Sequence, residues 1–240
     1  MCRHLAYLGP PRTLQSLVLD PPHSLYEQSW SPALQRHGTV NADGFGVGWY
    51  AGREAPVRYR RAQPIWTDAS FASLAPTIAT TCAVAAVRSA TAGTSPDETA
   101  AAPFTHGRWL FSHNGRLQDW STARKALLAR AADVPDTRAG VDSALLFGLA
   151  LASWQAGASL AGGLADAARS VLDHGGGRLT MLASDGAAIA AVVVGEPVHL
   201  SLSSGAVVIA AEPHDDGPWR EVADGTVVQA GADGVTEAAL

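Results

Sequence analysis

Apolar positions recur at strand spacing in the first and last thirds of the chain and at helical spacing in the middle. Residues 2–9 (CRHLAYLG) suit a short buried strand ending at Gly9-Pro10-Pro11. Residues 14–19 suit one or two helical turns, stopped by Asp20-Pro21-Pro22. After the turn Asn41-Ala42-Asp43-Gly44, the alternation Phe45, Val47, Trp49 predicts a strand whose other face carries only glycine. Something must pack against that bare face: another sheet, a ligand or the N-terminal strand. A further strand is expected over 58–61, closed by 64–66, then a short helix over 69–79. The apolar run 82–87 (CAVAAV) reads as a buried central strand.

Residues 94–102 form a loop, and Pro103-Phe104-Thr105-His106 leads into a strand over 109–112. Asn114-Gly115, between two strand-like runs, is a strong hairpin signal. An alanine-rich amphipathic helix follows over 120–132, a loop over 134–140, and two more helices over 144–154 and 159–172. His174-Gly175-Gly176-Gly177 is a turn, because no G-x-S-x-G elbow accompanies it. The remainder is strands over 178–183, 187–194, 198–202, 207–211 and 226–229, with hairpin turns at Asp185-Gly186 and Ser204-Gly205. Strands, a helical block and strands again predict an α+β fold, two packed antiparallel sheets with helices outside.

The chain has 240 residues, nearly half of them hydrophobic, and a net charge of −5. That balance argues against a nucleic-acid surface, and no basic run suits an anionic membrane. The longest apolar stretch, 187–195, is far shorter than the roughly 20 residues a bilayer needs. Two cysteines, Cys2 and Cys82, and a start lacking signal-peptide order point to a reducing cytoplasm. No H-E-x-x-H, C-x-x-C or Walker pattern supports a metal or nucleotide, so no cofactor is expected.

The candidate chemistry starts at Cys2. Its side chain is small enough for Met1 to be removed, leaving a thiol and a free α-amine on one residue. Such an amine has a pKa of roughly 8 and can act as the base for its own thiol. Cys82, inside an apolar strand, reads as a packed hydrophobe. Arg88 closes a buried strand and is followed by Ser89, Thr91 and Gly93. It suits either a surface ion pair or a two-pronged grip on a carboxylate. Asn114 and Gly115 could offer a side-chain NH2 and a backbone N–H to an oxyanion, since a tight turn exposes donors. His113 is a packed or turn-satisfying histidine, or part of the site. Asp142 suits a helix N-cap, or a partner for an ammonium.

With Cys2, Arg88, Asn114-Gly115 and Asp142 in that order, the sequence resembles the class II glutamine amidotransferases over essentially its whole length. These are N-terminal nucleophile hydrolases with a four-layer αββα sandwich, so the resemblance implies that fold in a single domain, 1–240. The stretches MCRHLAYLG, NADGFGVGWY, AAVRSAT, SHNG, VDSA and AEPHDD are similar to the branch that hydrolyses a γ-glutamyl amide in ergothioneine biosynthesis. The resemblance implies Cys2 as nucleophile and Asn114 and Gly115 as oxyanion hole. It implies Arg88, with Ser89 and Thr91, at the glutamyl α-carboxylate, His113 in the site, and Asp142 at the α-ammonium. Asp43 falls in the loop near the nucleophile, its role open. Arg88 is followed by Ser-Ala-Thr rather than a tryptophan-containing motif, and no synthase domain is expected after residue 240. The expected partner is a small γ-glutamyl substrate; the alternative is a glutaminase subunit feeding ammonia to a separate synthase.

Overall fold

The computed structural model describes residues 2–91 and 93–240. Met1, whose removal would free the amine of Cys2, lies outside the described residues, as does Ala92.

In chain order, β1 (Arg3–Thr13) is followed by the short helices α1 (Leu14–Val18) and α2 (Leu25–Gln28), then β2 (Phe45–Trp49) and β3 (Val57–Arg61). Helix α3 (Ala69–Leu74) leads to β4 (Ala79–Val87), β5 (Phe104–His106) and β6 (Trp109–Leu117). The helical block comprises α4 (Trp120–Leu127), α5 (Asp142–Gln155) and α6 (Leu160–Leu172). Seven strands close the chain: β7 (Gly177–Ser184), β8 (Ile189–Val193), β9 (Val198–Ser203), β10 (Ala206–Ala210), β11 (Trp219–Val222), β12 (Thr226–Gly231) and β13 (Gly234–Ala239). One sheet runs β11-β9-β10-β1-β4-β2-β3, the other β13-β12-β8-β7-β6-β5.

Period-two alternation divides the core into three layers. On β1 and β4, Leu5, Tyr7, Ala83, Ala85 and Val87 pack outward under Leu14, Leu17, Leu25 and Phe71 of α1–α3. Their alternates Ala6, Cys82 and Val84 face the second sheet, meeting Leu110, Leu182, Ile189 and Ala191. The opposite face of that sheet, with Phe111, Met181, Ala183, Ala190 and Val192, is covered by α5 and α6. The result is the four-layer αββα sandwich. Burying each large side chain contributes about 1.5–3 kcal/mol, so the layers hold the strand ends in fixed register.

The glycine face of β2 meets the other sheet. A Cβ at Gly48 would run into Leu110, and one at Gly46 into the Ala102 carbonyl. Both hairpin turns form: Asp185 Oδ1 accepts from the Ala187 and Ala188 backbones, and Ser204 and Gly205 both take positive φ. No helix among the described residues is long and apolar enough to cross a membrane.

Four sequence expectations are corrected. β1 does not end at Gly9-Pro10-Pro11; it bulges there, where proline supplies no N–H, and resumes pairing at Arg12 and Thr13. The helices expected over 69–79 and 120–132 end early, each after a 3-10 turn at Ala75–Thr77 and Leu128–Arg130, and Ala79 already belongs to β4. Asn114-Gly115 is not a hairpin turn, because β6 continues through it to Leu117, pairing Asn114 with Thr180 and Gly115 with Leu179. Glycine is needed for close approach, since a Cβ at 115 would overlap the Arg178 carbonyl oxygen. Finally, Asp142 is the first helical residue of α5 rather than its cap, which is Val141.

Candidate active site

Three strands deliver the chemistry to one end of the sandwich. Cys2 immediately precedes β1, the middle strand of its sheet, which pairs with β10 on one side and β4 on the other. Arg3 lies opposite Val87, so Cys2 and Arg88 leave neighbouring strands at the same edge. From the facing sheet, β6 brings His113, Asn114 and Gly115. The start of α5 brings Asp142. A cavity at this end is lined by Cys2, Arg88, Ser89, Thr91, His113, Gly115 and Asp142 together.

Cys2 is half-buried, and its backbone nitrogen donates to Asn114 Oδ1 at 3.1 Å. That contact settles which end of the buried amide is which. Asn114 Nδ2 therefore faces away as a buried NH2 group with no hydrogen-bond partner among the described residues. A buried donor left unpaired costs about 1–3 kcal/mol, a cost recovered when an acceptor arrives. Gly115 lines the cavity beside it.

His113 lies against β7. Its Nε2 is 3.0 Å from the Arg178 carbonyl, which can only accept, so Nε2 carries the proton. Nδ1, 3.0 Å from Ser143 Oγ, then accepts from that hydroxyl in the neutral ring. His113 thus braces β6 against α5 and β7.

Arg88 is 6% exposed yet forms no ion pair with a carboxylate among the described residues. Its Nη2 donates to the Ser95 carbonyl at 2.8 Å and to Thr94 Oγ1 at 3.2 Å. Asp43 shapes the loop that carries it. The Asp43 backbone N–H donates to the Arg88 carbonyl at 2.9 Å, and its carboxylate accepts from Ala90 N at 2.7 Å. Asp142, across the cavity, accepts from Leu117 N at 3.1 Å and Ser143 N at 2.9 Å. A guanidinium with no carboxylate partner among the described residues and a carboxylate thus border one cavity together with Cys2.

The two cysteines are physically unlike. Cys82 is fully buried and bonded to Ser184 Oγ at 2.9 Å, and burial pushes its thiol up to about 12. It stays a protonated thiol at neutral pH, as its place in an apolar strand predicts.

Sequence reasoning missed a second group of residues. Arg3 and Glu212 are each 2% exposed and form an ion pair at 2.9 Å, and Arg3 Nε donates to the Cys2 carbonyl at 2.8 Å. The available signal was the polar AEPHDD stretch amid apolar strands.

This fold and this site define the chain as a class II glutamine amidotransferase domain: it belongs to that family, whose model (Glutamine amidotransferases class-II) matches residues 27–202. Among individual proteins, it is 40% identical to the gamma-glutamyl-hercynylcysteine sulfoxide hydrolase of Mycolicibacterium smegmatis over 93% of each chain. It is 39% identical to the protein of that name from Mycobacterium tuberculosis (strain CDC 1551 / Oshkosh), over 100% of this chain and 97% of the relative. The solved structure of a glutamine aminotransferase class-II domain protein from Silicibacter pomeroyi superposes with a TM-score of 0.74 at 25% identity, over 100% of this chain and 99% of the other.

Proposed function

We propose that this chain hydrolyses a γ-glutamyl amide, with γ-glutamyl-hercynylcysteine sulfoxide as substrate and glutamate and hercynylcysteine sulfoxide as products. The observation that carries the reading is the Cys2–Asn114 pair: a half-buried cysteine anchored through its own nitrogen, beside an amide NH2 with no partner. Full-length similarity to hydrolases of that name supports the substrate.

Arg88 takes the α-carboxylate of the glutamyl group and Asp142 its α-ammonium, with Ser89, Thr91 and His113 completing the pocket wall. This clamp sets the γ-carbonyl over Cys2. The α-amine takes the thiol proton, and sulfur adds to the carbonyl carbon. Negative charge gathers on the carbonyl oxygen, where Asn114 Nδ2 and the Gly115 backbone N–H stabilise it. As the C–N bond breaks, the ammonium returns its proton to the departing amine. Water, deprotonated by the same amine, then cleaves the glutamyl thioester and restores the thiol. Each step uses groups of this one chain, which works as a single cytoplasmic catalytic domain on a small molecule, without nucleic acid, membrane or an obligatory synthase.

The test is glutamate release from γ-glutamyl-hercynylcysteine sulfoxide and from glutamine, using protein whose loss of Met1 is verified by intact mass. Preference for the sulfoxide and loss of activity in Cys2→Ala are expected. A Cys2→Ala protein cleaving at the wild-type rate would refute the mechanism, and activity on glutamine alone would make the chain an ammonia-supplying subunit.

A further inference from the structure

Cys2 is held on both of its backbone polar groups, and neither holder is among the residues that line the cavity. Asn114 takes the nitrogen; the carbonyl is taken by the next residue along, Arg3. Burying a guanidinium is costly unless it is paired, and here the pairing is specific. Arg3 Nε reaches the Cys2 carbonyl at 2.8 Å, while Nη1 meets Glu212 Oε1 at 2.9 Å. The other oxygen of Glu212 accepts from Ala33 N at 2.8 Å, and the preceding Ala211 N donates to the His4 carbonyl at 2.9 Å. The start of β1, the end of β10 and the loop after α2 are therefore fastened at one buried charge pair. The polar AEPHDD stretch thereby acquires a role that the hydrolytic reading does not give it.

From this geometry we infer that Arg3, held by Glu212, is a positioning residue: it fixes the carbonyl of Cys2 and keeps the α-amine of the same residue deprotonated and aimed at its thiol. This rests on the reading of Cys2 as nucleophile. Arg3 Nε lies 2.8 Å from the Cys2 carbonyl oxygen, which sets the cationic group beside the residue that carries the amine. A cation so placed disfavours the ammonium form. Glu212 engages Nη1 while Nε faces the Cys2 carbonyl, so the two partners occupy different nitrogens of the guanidinium. The other titratable groups bordering the site are Arg88 beyond β4, His113 on β6 and Asp142 on α5. Arg3 also acts on His4, whose pKa is held well below its usual value, first by burial and next by the Arg3 charge.

The experiment compares wild type with Arg3→Gln, Arg3→Lys, Glu212→Gln and the paired Arg3→Met/Glu212→Leu, each checked for Met1 loss by mass and for folding by thermal melting. The paired variant leaves no unpaired buried charge, so it remains informative if the single variants fail to fold. Two quantities are read: kcat and KM for glutamate release, and the pH dependence of Cys2 alkylation by iodoacetamide, resolved from Cys82 by peptide mapping. Arg3→Gln is expected to lower kcat 10- to 100-fold with KM nearly unchanged. It should also move the alkylation midpoint and the acid limb of kcat to higher pH, with Arg3→Lys recovering part of both. A folded Arg3 variant with the wild-type kcat and alkylation profile, or one altered in KM alone, overturns the proposal. Alkylation needs no substrate, so it reads the hold of Arg3 on Cys2 even if Cys2→Ala shows that the nucleophile reading itself fails.

Discussion

Asn114 Oδ1 accepts from the backbone nitrogen of Cys2 at 3.1 Å, across the gap between the two sheets and 112 residues apart in sequence. One amide thus has two ends with different surroundings, an oxygen that holds Cys2 and an NH2 with no partner among the described residues, and the proposed reaction gives them different duties. Asn114→Asp separates these duties. It keeps the acceptor for Cys2 but replaces the donor with an oxygen that repels a developing oxyanion. A fall in kcat of about 10²–10³-fold is expected, the usual effect of losing one such donor. KM should change little, since the ground-state carbonyl demands less of that donor. Steady-state kinetics of the folded variant check this; an unchanged kcat would remove Asn114 from the oxyanion hole.

Arg88 and Asp142 are expected to read opposite charges on the same glutamyl end, which makes their effects separable. Charge-assisted hydrogen bonds are worth about 1.5–3 kcal/mol, or roughly 10- to 150-fold in affinity. Arg88→Lys keeps the charge but loses the planar fork, so KM for a γ-glutamyl amide should rise by about that factor. Asp142→Asn should do the same. The discriminating measurement uses analogues. Asp142→Asn should lose little on glutaryl amides, which lack the α-ammonium, whereas Arg88→Lys should lose little on γ-aminobutyryl amides, which lack the α-carboxylate. If both variants lose equally on both analogues, the two residues are not an oriented clamp.

What the sequence made legible follows from where strands are paired on both sides. Residues 82–87 and the strands 198–202 and 207–211 lie inside the sheets, and their patterns locate them to within a few residues. β11 and β13, which went unread, are sheet edges paired on one side only, and β13 is largely exposed, so little alternation is imposed on them. Asn114-Gly115 misled for a different reason. The glycine is required by the approach of Arg178 from β7, a tertiary demand that looks like turn chemistry in one dimension. Cys2, Arg88, Gly115 and Asp142 border one cavity, Cys2 just before β1, Arg88 just after β4, Gly115 within β6 and Asp142 at the start of α5. For Arg3 and Glu212 the polar AEPHDD stretch marks only one partner, since a pairing across 209 residues does not show in the sequence which residue meets it.

The buried histidines set a pH dependence of stability distinct from that of catalysis. His4, His199 and His214 all have pKa values below the usual 6.5, each chiefly because burial disfavours the cation. Arg3 adds to the depression at His4 and Arg12 at His214, while Glu221 opposes it at His199. In the unfolded chain these rings take up protons as pH falls through about 6.5, while in the folded chain they do not. The unfolded state then binds more protons, so stability rises with pH across that range. Stability from these groups is complete above about pH 6.5 and is lost progressively as pH falls toward the depressed folded values. Thermal melting from pH 8 down to pH 5 is expected to give a Tm that is flat at first and falls below about pH 6.5. His4→Gln removes one contributor: its Tm should be lower at pH 8, where the bond to Ser112 Oγ is altered, but should fall less steeply toward pH 5. A variant with the wild-type slope would mean that His4 is charged in the folded protein, contrary to its burial between the sheets.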